Sequence, residues 1–267
     1  MPVLQARALI DNGELGAVRM INALNYTDFL YRPRRPEELK SSEGGGVIFS
    51  QAVHQIDIVR LLAGGIGKQV SAMTGNWDSE RSTEGAYSAL VGFENGAFAS
   101  LTYSGYAHFD SDEWMGGVNE LGHDKIPESY GSARRTLKAV KSSQAEAALK
   151  QTRTFGGDSI ILTPTHHEHF GPIIVSCEQG DIRLTPDGIW VYKNEECRFE
   201  PAQAVPNPRT PVIDALIDAA RNNNPPIQTG RWGLASLEIC HAILTSAADA
   251  GPITLHKQIA INSKGHS

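Results

Sequence analysis

Two periodicities divide this chain. Short stretches alternate apolar and polar residues, as half-buried strands do. Longer ones space their apolar residues three and four apart, as helices do. Residues 3–12 read as a helix ending at Gly13, and 18–26 as a strand. Strand character returns at 69–77, 86–93 and 97–103. The last two are joined by Glu94-Asn95-Gly96, whose Asn-Gly step favours a tight hairpin. A second group at 173–177, 181–184, 189–192 and 197–199 is punctuated by Glu178-Gln179-Gly180 and Pro186-Asp187-Gly188, which predicts a meander. Helices are expected at 208–221, stopped by Asn222-Asn223-Asn224-Pro225-Pro226, and at 233–250, stopped by Gly251-Pro252. Residues 255–261 read as a last short strand. Grouped, hairpin-linked strands with helices before and after them predict an α+β fold: a mostly antiparallel, open-faced sheet with helices on one side.

Between these groups, 115–158 loses its pattern and reads as a mobile insertion carrying a basic helix near 133–150. Residues 31–36 must be loop, because two prolines restrict them, and 262–267 read as a frayed tail. The whole, 1–267, is expected to form one domain with a substantial core.

Composition narrows the partners. A net charge of −6 gives no reason to expect nucleic acid or an anionic membrane. No apolar run approaches the ~20 residues that span a bilayer. The three cysteines, Cys177, Cys197 and Cys240, are far apart and odd in number, which suits a reducing, cytoplasmic location.

The densest chemistry lies between Gly44 and Gly65. A Gly44-Gly45-Gly46 turn opens an aliphatic helix, and Gly64-Gly65 closes it. If that helix starts near Ser50, then Ser50, His54 and Asp57 fall within about 60° on its wheel, with Arg60 at the border. A histidine and an aspartate aimed off a buried helix suit proton transfer; a buried His–Asp hydrogen bond that only fixes the helix is the bland alternative.

This stretch resembles the signature of the C-terminal domain of the Gfo/Idh/MocA oxidoreductases. Tyr26-Thr27-Asp28-Phe29-Leu30-Tyr31-Arg32-Pro33-Arg34-Arg35-Pro36-Glu37-Glu38-Leu39 and Tyr103-Ser104-Gly105-Tyr106-Ala107-His108-Phe109-Asp110-Ser111-Asp112-Glu113 are similar to the phthalate-dihydrodiol (4,5-dihydroxyphthalate) dehydrogenase branch. The likeness runs from Gly13 to about Gln258. It implies NAD or NADP as cofactor, held mainly by an N-terminal Rossmann half, and a homo-oligomer formed through the open sheet face. That half is expected to be absent here: no Gly-x-Gly-x-x-Gly follows a strand and no Glu-Lys-Pro occurs. Helix 3–12 looks like the continuation of a longer protein. The resemblance further implies that His54 takes a proton from a substrate hydroxyl as hydride leaves the adjacent carbon. The family commonly has aspartate where Ser50 stands; serine can orient or relay but is no base at neutral pH.

Arg32, Arg34 and Arg35 lie on a proline-braced loop. Guanidiniums bind carboxylates bidentately, so this loop is a candidate clamp for an aromatic dicarboxylate or its dihydrodiol. The alternative is a solvated loop pairing with Glu37, Glu38 and Asp28. Tyr26 and Tyr31 could line the same pocket, as could His108 from the cluster His108, Asp110, Asp112 and Glu113. No metal is expected. His166-His167-Glu168-His169 does not match His-Glu-x-x-His, and no helix is predicted there. No nucleophile motif is present.

Together these features predict the substrate-binding, oligomerising domain of an NAD(P)-dependent dehydrogenase for a cyclic diol. Alone it would be inactive. The competing expectation is a non-enzymatic ligand-binding or assembly domain that has lost its cofactor half. A metal-dependent hydrolase ranks third.

Overall fold

The computed structural model describes residues 1–152, 163–204 and 210–261. Helix α1 (Pro2–Asp11) leads into strand β1 (Val18–Tyr26), and α2 (Val53–Ala63) follows a run of short helical turns. Strands β2 (Gly67–Gly75), β3 (Ala86–Phe93) and β4 (Phe98–Ser104) come next. Helices α3 (Ser132–Ala139) and α4 (Ser143–Thr152) precede β5 (Ile173–Cys177), β6 (Gly180–Thr185), β7 (Gly188–Tyr192) and β8 (Cys197–Pro201). Helices α5 (Thr210–Asn222) and α6 (Gly230–Asp249) and strand β9 (Ile253–Thr254) complete the order.

Among the described residues nine strands join one sheet in the order β8-β7-β6-β5-β1-β4-β3-β2-β9. Every pairing is antiparallel except β1 with β4. The fold is therefore the open, mostly antiparallel sheet that strand alternation predicts. Asn95-Gly96 makes the β3–β4 turn, with Gly96 at φ +85° and its N–H bonded to Phe93 O at 3.2 Å. Helix α1 packs over β6 and β7, α2 over β1 and β4, and α6 over β2. Ile21, Val70, Ala89, Leu101, Val175 and Ile182 point to that covered side and are buried. The opposite face leaves Met73, Leu90, Phe98, Ile174 and Phe199 exposed.

Three local expectations need correction. The last strand is Ile253–Thr254, paired with β2, and 255–261 is irregular. There Gln258 is drawn off by side-chain bonds to Ala235 O and Glu238. The basic helix near 133–150 is two helices, α3 and α4, with α3 ended by Val140 in an extended conformation. The signature helix does not run as α-helix from Ser50: Ile48–Ala52 is a π turn, and regular α-helix starts at Val53. Of the expected insertion 115–158, residues 153–158 lie outside the described ones, as do 208–209 of the helix before Asn222 and the tail 262–267.

Candidate functional site

The glycine turn is built by close approach. A Cβ on Gly45 would stand 2.5 Å from Glu37 O, and one on Gly46, at φ +83°, would stand 2.0 Å from Glu84 Oε1. Glu84 uses the room so gained. Its Oε1 accepts the Ile48 N–H at 3.3 Å, and its Oε2 accepts from Thr83 Oγ1 at 3.1 Å and from the Ser41 hydroxyl. The carboxylate thus fastens the first turn of the segment that carries His54.

The π turn decides what points inward. Gln51 and Gln55 face two buried tyrosines: Tyr103 Oη donates to Gln51 Oε1 at 3.2 Å, and Tyr87 Oη donates to Gln55 Oε1 at 2.7 Å. His54 lies outside this pair. It is exposed, has no hydrogen-bond partner among the described residues, and its ring stands 5.5 Å from that of Phe170. Phe170 in turn stacks on Tyr103 at 6.1 Å.

Asp57 and Arg60 turn to α6 instead. Asp57 Oδ1 accepts the Trp232 indole N–H and the Ser236 hydroxyl, the latter at 3.3 Å. Arg60 is fully buried, donates to Trp232 O at 3.0 Å and to Ser236 Oγ at 2.8 Å, and lies 3.9 Å over the Trp232 ring. Burial pushes its guanidinium down to about 10. Ser50 is half-buried, and its carbonyl accepts from Gln51 Nε2 at 2.9 Å. No hydrogen bond joins Ser50 or Asp57 to His54.

The three loop arginines are dispersed. Arg32 bridges Asp28 at 3.0 Å and Glu120 at 3.1 Å; burial opposes its charge, but Glu120 and Asp28 outweigh that and hold its pKa above the ordinary value. Glu120 also accepts from Asn25 Nδ2 at 2.9 Å. Arg34 is buried, with its guanidinium 3.5 Å over the Phe29 ring and bonded to Phe29 O, and desolvation pushes it down to about 10. Arg35 is exposed beside Glu37 and Glu38, at 3.4 and 3.6 Å. Asp28 thus takes up Arg32 and Glu37 and Glu38 take up Arg35, while Arg34 is buried on Phe29.

Two cavities flank this region, and His108, exposed, lines both. One, about 510 Å³, is aromatic, with Tyr26, Tyr31, Trp77, Tyr106 and Phe109 in its wall. The other, about 410 Å³, is polar and reaches Arg32, Glu120, Lys125, Asp112 and Arg134. Lys125 sits between Asp110 and Asp112, 2.6 Å from Asp112 Oδ2. Burial pushes the Asp112 carboxyl up to about 6 even though Lys125 pulls it down. Next to it His169 is kept neutral by burial, accepting from Gly171 N–H at Nδ1 (3.0 Å) and donating from Nε2 to Val118 O (2.9 Å).

Glu120, Lys125 and Arg134 come from the stretch that lacks sequence periodicity, so no pattern announced them. Asp110 and Asp112 were visible by alternation, but their lysine was not. The remaining histidines separate: His166 pairs with Asp187 at 2.6 Å, and His167 Nε2 bonds Gln203 O at 2.9 Å. Among the described residues no three metal-binding groups converge. Nor does a described strand–glycine turn–helix offer a cradle for dinucleotide phosphates. Gly64 ends α2 at φ +111°, and the Gly65-Ile66-Gly67 that follows leads into β2. No described helix is long and apolar enough to cross a membrane.

Comparison with known proteins adds four findings. Residues 3–116 match the model of the GFO/IDH/MocA C-terminal domain. The chain is 45% identical over 247 residues to the 1-carboxy-3-chloro-3,4-dihydroxycyclohexa-1,5-diene dehydrogenase of Comamonas testosteroni; the match takes in 91% of this chain and 62% of that protein. The chain thus spans about three fifths of the length of this relative. A solved structure assigned as a dehydrogenase from Bordetella bronchiseptica superposes with TM-score 0.86 at 42% identity, over 95% of this chain and 66% of that one. A levoglucosan dehydrogenase solved with NADH and levoglucosan shares the fold alone, with TM-score 0.63 at 15% identity over 95% and 63% of the two chains.

Proposed function

This chain belongs to the Gfo/Idh/MocA oxidoreductases through their C-terminal domain, and on that premise we propose that it is the substrate side of a dehydrogenase for a carboxylated cyclic diol. The likeness to a relative named for such a diol supports the substrate class. The observation that carries the mechanism is His54: exposed, free of hydrogen bonds among the described residues, and braced against Phe170 on a helix locked at both ends. An imidazole so held can take the proton of a substrate hydroxyl. The dinucleotide, NAD or NADP, would supply the hydride acceptor.

The other expected contributors take supporting places in this scheme. Asp57 holds α2 against α6. Arg32 with Glu120 forms the charged wall of the polar cavity. The exposed apolar row Met73, Leu90, Phe98, Ile174 and Phe199 supports a homo-oligomer through the open sheet face. Three unpaired cysteines support a reducing, cytoplasmic setting.

The test is turnover by the full-length enzyme with a carboxylated cyclohexadiene cis-diol, followed as nicotinamide absorbance with NAD and then NADP. Reduction of either cofactor at the diol's expense is expected. Binding without turnover would favour the ligand-binding alternative.

A further inference from the structure

We propose that the 410 Å³ cavity holds its ligand by two complementary ends, a single carboxylate on Arg134 and a hydroxyl on Asp112. The inference rests on the carboxylated-diol substrate above and names the groups that would select it.

Arg134 is held by neutral groups, the Tyr106 carbonyl and the ring and hydroxyl of Tyr31. Its Nη2 donates to Tyr106 O at 2.7 Å, and its guanidinium lies 4.0 Å over the Tyr31 ring. Both contacts fix its plane, and no carboxylate partners it among the described residues. The N–H groups not turned to Tyr106 or Tyr31 are offered to an anion, with little further entropy to lose on binding.

Asp112 presents the opposite lack. It is 2% exposed, and its Oδ1 is buried with no hydrogen-bond partner. The nearest candidate, His169 Nε2, is 3.8 Å away and already spent on Val118 O. A buried acceptor left unsatisfied is costly, and a ligand O–H would relieve it once the side chains that cover Oδ1 give way.

Charge sets the number of carboxylates. The other two cations in the wall are taken, Arg32 by Asp28 and Glu120, and Lys125 by Asp110 and Asp112. Asp124 adds one more acid to the lining. A second ligand carboxylate would meet repulsion without a spare cation. The cavity therefore suits a hydroxylated monocarboxylate and disfavours the dicarboxylate that the arginine loop suggested.

Calorimetric titration of this chain with 3,4-dihydroxybenzoate, benzoate, catechol and phthalate tests the assignment. Dihydroxybenzoate should bind tightest, with benzoate, catechol and phthalate each weaker by on the order of tenfold. Arg134→Gln should bring dihydroxybenzoate down to the affinity of catechol, and Arg134→Lys should restore part of the loss. Asp112→Ala should bring it down to that of benzoate; if that variant melts early, Arg134→Gln, on a half-exposed helix position, decides alone. A dihydroxybenzoate preference that survives Arg134→Gln, or phthalate binding as tightly, overturns the inference. Turnover of the diol by the full-length enzyme separates the two levels. Intact turnover with preferences untouched by Arg134→Gln removes only the anchor, whereas no turnover and no binding removes the substrate class as well.

Discussion

Trp232 donates its indole N–H to the carboxylate of Asp57, a residue 175 positions earlier in the chain. The bond ties α6 to α2 one turn beyond His54, and Arg60 closes the joint by stacking on the same indole. An aspartate placed by its spacing beside a histidine is thereby committed to helix packing.

Trp232→Phe should therefore destabilise the fold by about 1–3 kcal/mol, since it leaves the half-buried Asp57 carboxylate with only the Ser236 hydroxyl as donor while keeping most of the apolar volume. Urea unfolding measures the loss. Turnover per folded molecule should stay within about threefold of wild type; a collapse of turnover at full stability would mean that the joint reaches the chemistry directly.

His54→Ala in the full-length enzyme should lower kcat by about 10²–10⁴ while KM moves little, the pattern of a lost general base. Because His54 is exposed and makes no hydrogen bond among the described residues, the melting temperature should hold. A variant that keeps wild-type kcat removes His54 from the mechanism.

Gly46→Ala forces a Cβ into the space of the Glu84 carboxylate at a positive φ. The cost should be about 2–4 kcal/mol, combining left-handed strain with loss of the Glu84 bonds to Ile48 and Thr83. Glu84→Ala in the same background should cost less than it does alone, because the clash is gone. Additive losses in this double-mutant cycle would contradict the contact.

The Asp112 carboxyl stands at about 6, above its ordinary 3.8, so between those values the folded protein keeps a proton that the unfolded chain has released. Stability from this group is complete below the lower value and is lost as pH rises through the upper one. Asp112→Asn removes the titration, so it should look more favourable at pH 7.5 than at pH 4, by at most roughly 3 kcal/mol. Equal effects at both pH values in denaturant melts would show that Asp112 does not titrate as described.

Much of this protein was legible in its sequence because the relevant information is local. Alternation marks which strand face is buried, Asn95-Gly96 supplies the backbone a hairpin needs, and paired glycines close a helix whatever surrounds them. That His54 would project from its helix was legible in the helix and its glycine turn. What only the tertiary structure decided is which partner each polar side chain finds. Asp57 meets Trp232, Arg34 is buried on Phe29, and the π turn aims Gln51 and Gln55 rather than Ser50 at the core. Lys125, Arg134 and Asp112 form one cavity wall although no period links them. A side chain's partners depend on how long loops close and on which neighbour offers the missing donor or acceptor once water is excluded, and neither is written in the spacing of residues along one segment.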